Sequence, residues 1–492
     1  MQNHPLYAVI DLGSNSFHML ITRLVADSVQ VVDKVKRKVR LASGLDENNL
    51  LNDEAIDRGL ECLSFFAERL QDIPPANIRI VATATLRIAT NADIFLKKAN
   101  DILGQPVNLL TGEQEAQYIY LGVAHTSCCA LKRLVLDIGG ASTEMVVGND
   151  FKAEFVHSLD IGCVTFLKRY FANGELNQAN FANAKQAAVE AIQPLVENYQ
   201  QFGWQSVLGG SGTMQALAEV LLHRHQPSII DGALLEEMQE KLIACQTIEQ
   251  INIGGLQSDR KPVFASGIAI LQALFECFEI TKLQLSSGAI REGLLYEMLP
   301  DMRQRSIEER TVTSLREKFH IEVAHADRVE QMTLSLCNLW QLPNNRGLSL
   351  LTTACALHEI GLLLEFKRHQ QHGQYILNNA DLPGFSQADR QLLAAFVRLY
   401  KADIEPELLV EQSATDYQNA THLLAAMRIA VILCRRRQDD ELPAFKGNLS
   451  EGIISLSLPK AWLKKHPLIS DELKQEQQHL KILNIDLQLI AF

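Results

Sequence analysis

Apolar residues recur along the chain with two different periods, and the change from one to the other divides it. Up to Leu299, short apolar runs bounded by turn residues read as strands at Tyr7–Asp11, Phe17–Ile21, Val29–Arg40, Ile78–Ala82, Val107–Leu110, Leu134–Asp137 and Gln205–Leu208. Between them lie stretches of helical period: Asn52–Gln71, Asn91–Leu103, one opening at Thr111, Ala182–Gln201 and Pro262–Phe278. Asn52 is placed to cap the first of these, with Asp53 and Glu54 in the turn where the helix dipole favours acids. Leu285–Leu299 reads as a strand crossing into a helix through Gly288 and Arg291-Glu292-Gly293. Interleaving of this kind predicts an α/β fold. From about Arg303 the period becomes helical through Thr311–Leu339, Ser349–Leu364, Gln387–Tyr400 and Ala420–Cys434, which predicts an all-helical domain. In the tail, Gly452–Leu458 and Asn484–Phe492 alternate like strands around a helix starting near Pro459.

Two of the strand pairs share a grammar. In Leu134–Val147 an apolar run ends in Asp137, Gly139 and Gly140 make a turn carrying Ser142 and Thr143, and a second apolar run starts at Glu144. Near the N-terminus, Tyr7–Asp11 runs into Leu12-Gly13-Ser14-Asn15-Ser16 and returns as Phe17–Ile21. One Asp-x-Gly hairpin is commonly just a turn. Two with hydroxyl side chains at the tip point to backbone N–H groups cradling an anion. Asp137 and Glu144 flank the second turn with hard oxygens of the kind Mg²⁺ takes, and Asp11 stands in the equivalent place in the first. Gly209–Thr213, with Ser211 and Thr213, opens a helix and is a candidate third cradle.

Basic side chains qualify this picture. In a strand over Val29–Arg40, Lys34, Lys36, Lys38 and Arg40 share one face, either as a solvated edge or as a basic wall beside the phosphate turn. Arg87, after the strand Ile78–Ala82, can fork onto phosphate oxygens or make a surface ion pair. Thr111-Gly112-Glu113-Gln114 reads as a capping box, and Glu115 is then either a general base or an acid that merely suits a helix N-terminus.

With 492 residues, 47% of them hydrophobic, the chain can fill the cores of two to four domains. A net charge of −12 argues against general nucleic-acid binding, so a polyanionic substrate must be drawn by local basic clusters. The sequence contains neither a membrane-length apolar run nor a signal-peptide pattern at its start, and a cytoplasmic protein without a membrane partner is expected. The nine cysteines are scattered, and adjacent Cys128-Cys129 suit no ordinary disulfide, so reduced thiols are expected.

The segments DLGSNSFHML, KRKVRLASGL, VATATLR, TGEQEAQYIYLGVAHT, DIGGASTE, GGSGT and REGLLY occur in an order that resembles the exopolyphosphatase/guanosine pentaphosphate phosphohydrolase (Ppx/GppA) family. The similarity continues through an HEIG segment to the C-terminus, and length and HEIG lie nearer the pentaphosphate-hydrolysing members. The resemblance implies a duplicated actin-like/Hsp70/sugar-kinase domain with lobes at 1–125 and 126–302. A helical HD-like domain at 303–445 and a small α/β unit at 446–492 would follow.

The family's G-x-E-E-A-R segment places its catalytic glutamate on Glu115, although Gln114 replaces the first acid and Gln117 the arginine, which removes a possible charge partner. The implied site has Glu115 as base, with Arg87 offsetting charge. Phosphate is held by Ser14, Asn15, Lys36, Arg40, Gly139, Gly140, Ser142, Ser211 and Thr213, and Mg²⁺ by Asp137, Glu144 and Asp11. The implied reaction removes the 5′-terminal phosphate of guanosine pentaphosphate, with trimming of polyphosphate also open and a homodimer expected. The rivals are a processive exopolyphosphatase, an ATP-dependent kinase or ATPase of the superfamily, and a non-catalytic sensor. His325 and His358-Glu359 are similar to HD-type metal phosphohydrolases, but Glu359 replaces an Asp and Val431 stands where the last metal-binding Asp would be, so a degenerate site is expected. Arg435-Arg436-Arg437 is either a substrate grip or an ordinary basic helix end.

Overall fold

The computed structural model describes residues 5–26, 28–128, 132–303, 306–438 and 443–492; of the adjacent cysteines, Cys129 lies outside them. The chain forms two compact units, Met1–Leu24 with Val29–Arg305 and Val25–Ser28 with Ser306–Phe492.

The first unit holds two sheets built to one plan. One runs in the order β3 (Ser28–Arg37), β2 (Phe17–Val25), β1 (Leu6–Leu12), β4 (Ile78–Ala82), β5 (Asn108–Leu109). The other runs in the order β10 (Ile229–Ile230), β11 (Leu283–Leu285), β9 (Ser206–Gly210), β6 (Lys132–Ile138), β7 (Thr143–Asn149), β8 (Lys152–Leu159). In each, a central strand pairs antiparallel with the strand that follows it and parallel with one arriving by crossover: β1 with β2 and β4, β6 with β7 and β9. The duplicated two-lobe reading thus appears in the pairing itself. Apolar side chains of both sheets, among them Val9, Val81, Val135, Val146 and Leu208, meet in one core with the helices Gly112–Thr126 and Ile290–Glu297.

Those two helices touch backbone to backbone. A Cβ on Gly293 would lie 1.8 Å from Tyr118 O, and one on Gly122 would lie 2.0 Å from Ala289 O. Only glycine permits this approach, and it places the Glu115 and Arg291 ends of the two helices. Gly293→Ala is expected to cost about 1–3 kcal/mol or more through overpacking. Urea unfolding of Gly293→Ala beside Gly232→Ala, whose added Cβ meets nothing within 4 Å, checks this.

Local expectations hold where the signal is local. Asn52 accepts from Ala55 N at 2.9 Å, and the helix runs Asp53–Leu70. Thr111 and Gln114 form a reciprocal capping box. Three expectations need correction. β3 ends at Arg37, and the chain then turns with Arg40 at φ 53°, so Lys38 and Arg40 leave the lysine stripe. Arg87 sits not at a strand end but on a short helix, Ala84–Ile88. Ala182–Gln201 breaks at Pro194 into Gln178–Ile192 and Val196–Phe202, as a proline without an N–H requires.

The second unit is helical, with Ile307–Lys318, Val323–Leu339, Arg346–Leu357, His369–Asn379, Gln387–Leu399 and Tyr417–Leu433 as its main helices. The Thr311–Leu339 stretch is two helices separated at His320, which has φ 50°. Its last segment is a three-stranded sheet, β12 (Lys446–Ser450), β13 (Ile453–Leu458) and β14 (Asp486–Ala491), with β13 and β14 parallel as their connecting helices require. Ile454, Leu456 and Leu487 of this sheet share one continuous core with the helices. Inside that core Arg428 pairs bidentately with Glu476, at 2.6 and 2.9 Å, both side chains 5% exposed or less. No described helix is long and apolar enough to cross a membrane.

Candidate active site

Asp11 and Asp137 are the penultimate residues of central strands β1 and β6, and each strand then enters its turn, so the shared sheet plan brings two equivalent turns to one cleft. A Cβ on Gly140 would lie 3.1 Å from Ser14 Cβ, so the turn tips pack directly together and glycine is what lets them do so. Gly139 N donates to Ser142 O at 2.8 Å and closes the second turn. The cleft holds a cavity of about 340 Å³. Of the residues proposed from sequence, Asp11, Ser14, Asn15, Lys36, Glu115, Asp137, Gly139, Gly140, Ser142, Ser211 and Thr213 line it. Arg40 is exposed and does not, while Lys38 is taken by Asp259 at 2.6 Å.

Glu115 occupies the first turn of its helix and is buried. Arg87 Nη1 donates to Glu115 Oε2 at 2.6 Å and to Leu110 O at 3.1 Å. The charge partner that seemed lost at Gln117 is therefore supplied by Arg87, and Gln117 itself faces solvent. Burial nevertheless raises the Glu115 carboxyl above the ordinary glutamate range, against the opposing pull of Arg87. Glu144, buried behind the lining, accepts from Ser158 Oγ at 2.8 Å. Burial, then the charges of Glu115 and Asp137, holds it well above the usual carboxylate range. Asp137 is pushed up to about 7 by burial and then by Glu115, and Asp11 to about 7 by burial, with Arg291 opposing.

Four buried carboxyls, of which Asp11, Asp137 and Glu144 are raised by neighbouring carboxylates as well as by burial, are poorly stable as anions unless a cation joins them. An all-oxygen donor set fits a hard divalent ion.

Ser211 is the strained member of the site. It stands at φ 72° where the helix Ser211–His223 begins, and its hydroxyl donates to Ile138 O. It ties the third glycine-rich turn to the end of β6.

Sequence reasoning missed part of the basic rim. Arg291, read only as part of a crossover, lines the cavity and acts on both Asp11 and Asp137. Arg260 lines it from just before the helix Lys261–Cys277, where no local signal marked it. His18, on β2 opposite Asp11, also faces it, and burial among Arg291, Lys36 and Lys34 pushes its imidazole down to about 2. Lys34 and Lys36, two apart on β3, do share the cavity face as the strand period predicts.

The profile of the Ppx/GppA phosphatase family matches residues 20–302, and that of Ppx/GppA phosphatase domain III matches residues 307–477. The chain is 48% identical over 476 residues to a guanosine-5'-triphosphate,3'-diphosphate pyrophosphatase of Photobacterium profundum, covering 96% of this chain and 95% of that protein. It is 46% identical to the protein of the same name from Pseudoalteromonas translucida, covering 96% of each. Among solved structures, an exopolyphosphatase from Cytophaga hutchinsonii superposes with a TM-score of 0.55 at 23% identity, over 60% of this chain and 98% of that one. The Aquifex aeolicus member of the Ppx/GppA family superposes with a TM-score of 0.51 at 24% identity, over 61% and 99%. These last two bear on the fold alone, whereas matched profiles across both units and near full-length relatives bear on descent: the chain belongs to the Ppx/GppA phosphatase family.

Proposed function

We propose that the chain removes the 5′-terminal phosphate of guanosine pentaphosphate, leaving the tetraphosphate and orthophosphate. The observation that carries this reading is the convergence of a buried glutamate, held by Arg87, and two glycine turns on one polar cavity. Hydrolysis of a phosphoanhydride asks a protein for charge neutralisation, in-line placement of water and a base. Backbone N–H groups of the two turns, with Ser14, Asn15 and Ser142, hold the terminal phosphate; Lys34, Lys36, Arg260 and Arg291 offset its charge. Glu115 takes a proton from the water attacking the terminal phosphorus as the new P–O bond forms and the bridging P–O bond breaks, the electron pair leaving on the bridging oxygen, which stays with the tetraphosphate. Arg87 keeps Glu115 aimed and opposes the upward pull of burial on its carboxyl. Asp137, Glu144 and Asp11 are the residues to hold Mg²⁺, which neutralises phosphate oxygens when bound.

Relatives that carry the pyrophosphatase name along almost the whole chain support the alarmone over polyphosphate as main substrate. The free state of all the described cysteines agrees with a reducing, cytoplasmic setting, and a homodimer is the proposed assembly.

Phosphate release from guanosine pentaphosphate and from long polyphosphate, compared side by side, tests this. The expected result is a higher kcat/KM on the pentaphosphate, abolished by EDTA and restored by Mg²⁺. A preference for polyphosphate makes the protein an exopolyphosphatase, and tight binding without release makes it a sensor.

A further inference from the structure

The helical unit contains a second cluster of ligating groups that the hydrolytic cavity does not use. His325 lies in the first turn of the helix Val323–Leu339, His358 directly follows the helix Arg346–Leu357, and Glu359 comes next. One ligand atom from each of the three lies within 4.8 Å of the others. The two imidazole centroids are 5.6 Å apart with planes at 59°, so the rings converge without stacking.

Two details show groups left ready for an ion. His358 Nδ1 lies 2.7 Å from Cys355 O, and a carbonyl only accepts, so Nδ1 carries the proton and Nε2 keeps its lone pair. His325 is 4% exposed, and its Nδ1 is buried without a hydrogen-bond partner. An orphaned imidazole nitrogen at this depth costs stability unless something meets it.

The carboxylate already has a partner. Arg437 donates to both Glu359 oxygens and also to Glu322. A guanidinium shared between two acids can give up one and keep the other, so Glu322 retains Arg437 if Glu359 turns to an ion. With neutral imidazoles, the charges acting on His325 from Glu359, Glu322, Arg437 and Arg328 sum to about zero, so a cation is drawn by the lone pairs and the carboxylate of the ligand set itself.

We propose that His325, His358 and Glu359 form a second metal site, distinct from the carboxylate cavity and suited to a borderline divalent ion such as Zn²⁺, with Arg437 competing for the carboxylate. Two imidazoles and one carboxylate select a transition metal over Mg²⁺. Three protein ligands leave a coordination position open to water or an anionic oxygen.

Equilibrium dialysis of the full-length chain against Zn²⁺ in excess Mg²⁺, with metal analysis, tests the site. One Zn²⁺ per chain is expected, retained in Asp137→Asn and weakened at least about tenfold in Glu359→Gln and His325→Gln. Arg437→Gln, which frees Glu359, is expected to bind Zn²⁺ more tightly than wild type. Metal-free circular dichroism of each variant separates a lost ligand from a lost fold. The inference is overturned if neither wild type nor Arg437→Gln takes up zinc, or if the zinc that binds is indifferent to both Glu359→Gln and His325→Gln.

Discussion

Glu115→Gln is expected to lower kcat for phosphate release from guanosine pentaphosphate by roughly 10²–10⁴-fold, the usual contribution of a general base. The amide keeps the size of the side chain and can still accept from Arg87, so the helix cap and the pair geometry survive. What it cannot do is take the proton. Because burial raises the carboxyl above the ordinary glutamate range, its charged form is less favoured in the folded protein than in the unfolded chain. A raised acid binds its proton more tightly folded than unfolded, so ionising it as pH rises weakens the fold. The neutral amide avoids this, and the metal-free variant's melting temperature should not fall. The same direction sets the pH profile. Wild-type kcat/KM should climb with pH through an acid limb lying above the usual glutamate range, and residual activity of Glu115→Gln should lack that limb. A variant with full turnover at unchanged stability would remove Glu115 from the base role.

Arg428→Met is expected to destabilise the helical unit by about 3–5 kcal/mol, since it leaves Glu476 as an unpaired charge in the core. Arg428 also donates to Leu399 O and Ala402 O, so the change strips two backbone carbonyls as well. Replacing both partners, Arg428→Met with Glu476→Leu, should recover much of the loss, because the costly species is the single charge and not the missing pair. Urea unfolding followed by hydrogen exchange in residues 306–492 reads the effect, and the double-mutant cycle isolates the pair. Equal losses for the single and double variants would show that the carbonyl contacts carry the stability instead.

Legibility tracked the range of the interaction. The capping box at Thr111–Gln114, the Asn52 cap and the strand Ile78–Ala82 depend on residues within a few positions of each other, and the sequence determined them. The two acid-ended hairpins were legible for the same reason. Their duplication could be read because each repeats a short pattern of strand, turn and strand.

Where the signal was long-range, sequence periodicity misled or stayed silent. It continued the lysine stripe to Arg40, but β3 ends at Arg37 and the backbone turns at Arg40. It had no means of placing Arg260 or Arg291 at the cavity, since each is brought there by a helix that crosses from another part of the chain. Nor could it pair Arg87 with Glu115, which are 28 positions apart. By itself, then, the sequence determined the strands, caps and phosphate turns, whose energetics are local. Tertiary structure alone decided which charges share the cavity, because carboxyls perturb one another through space and burial, and only the packed sheets and the Gly122–Gly293 crossing set those distances.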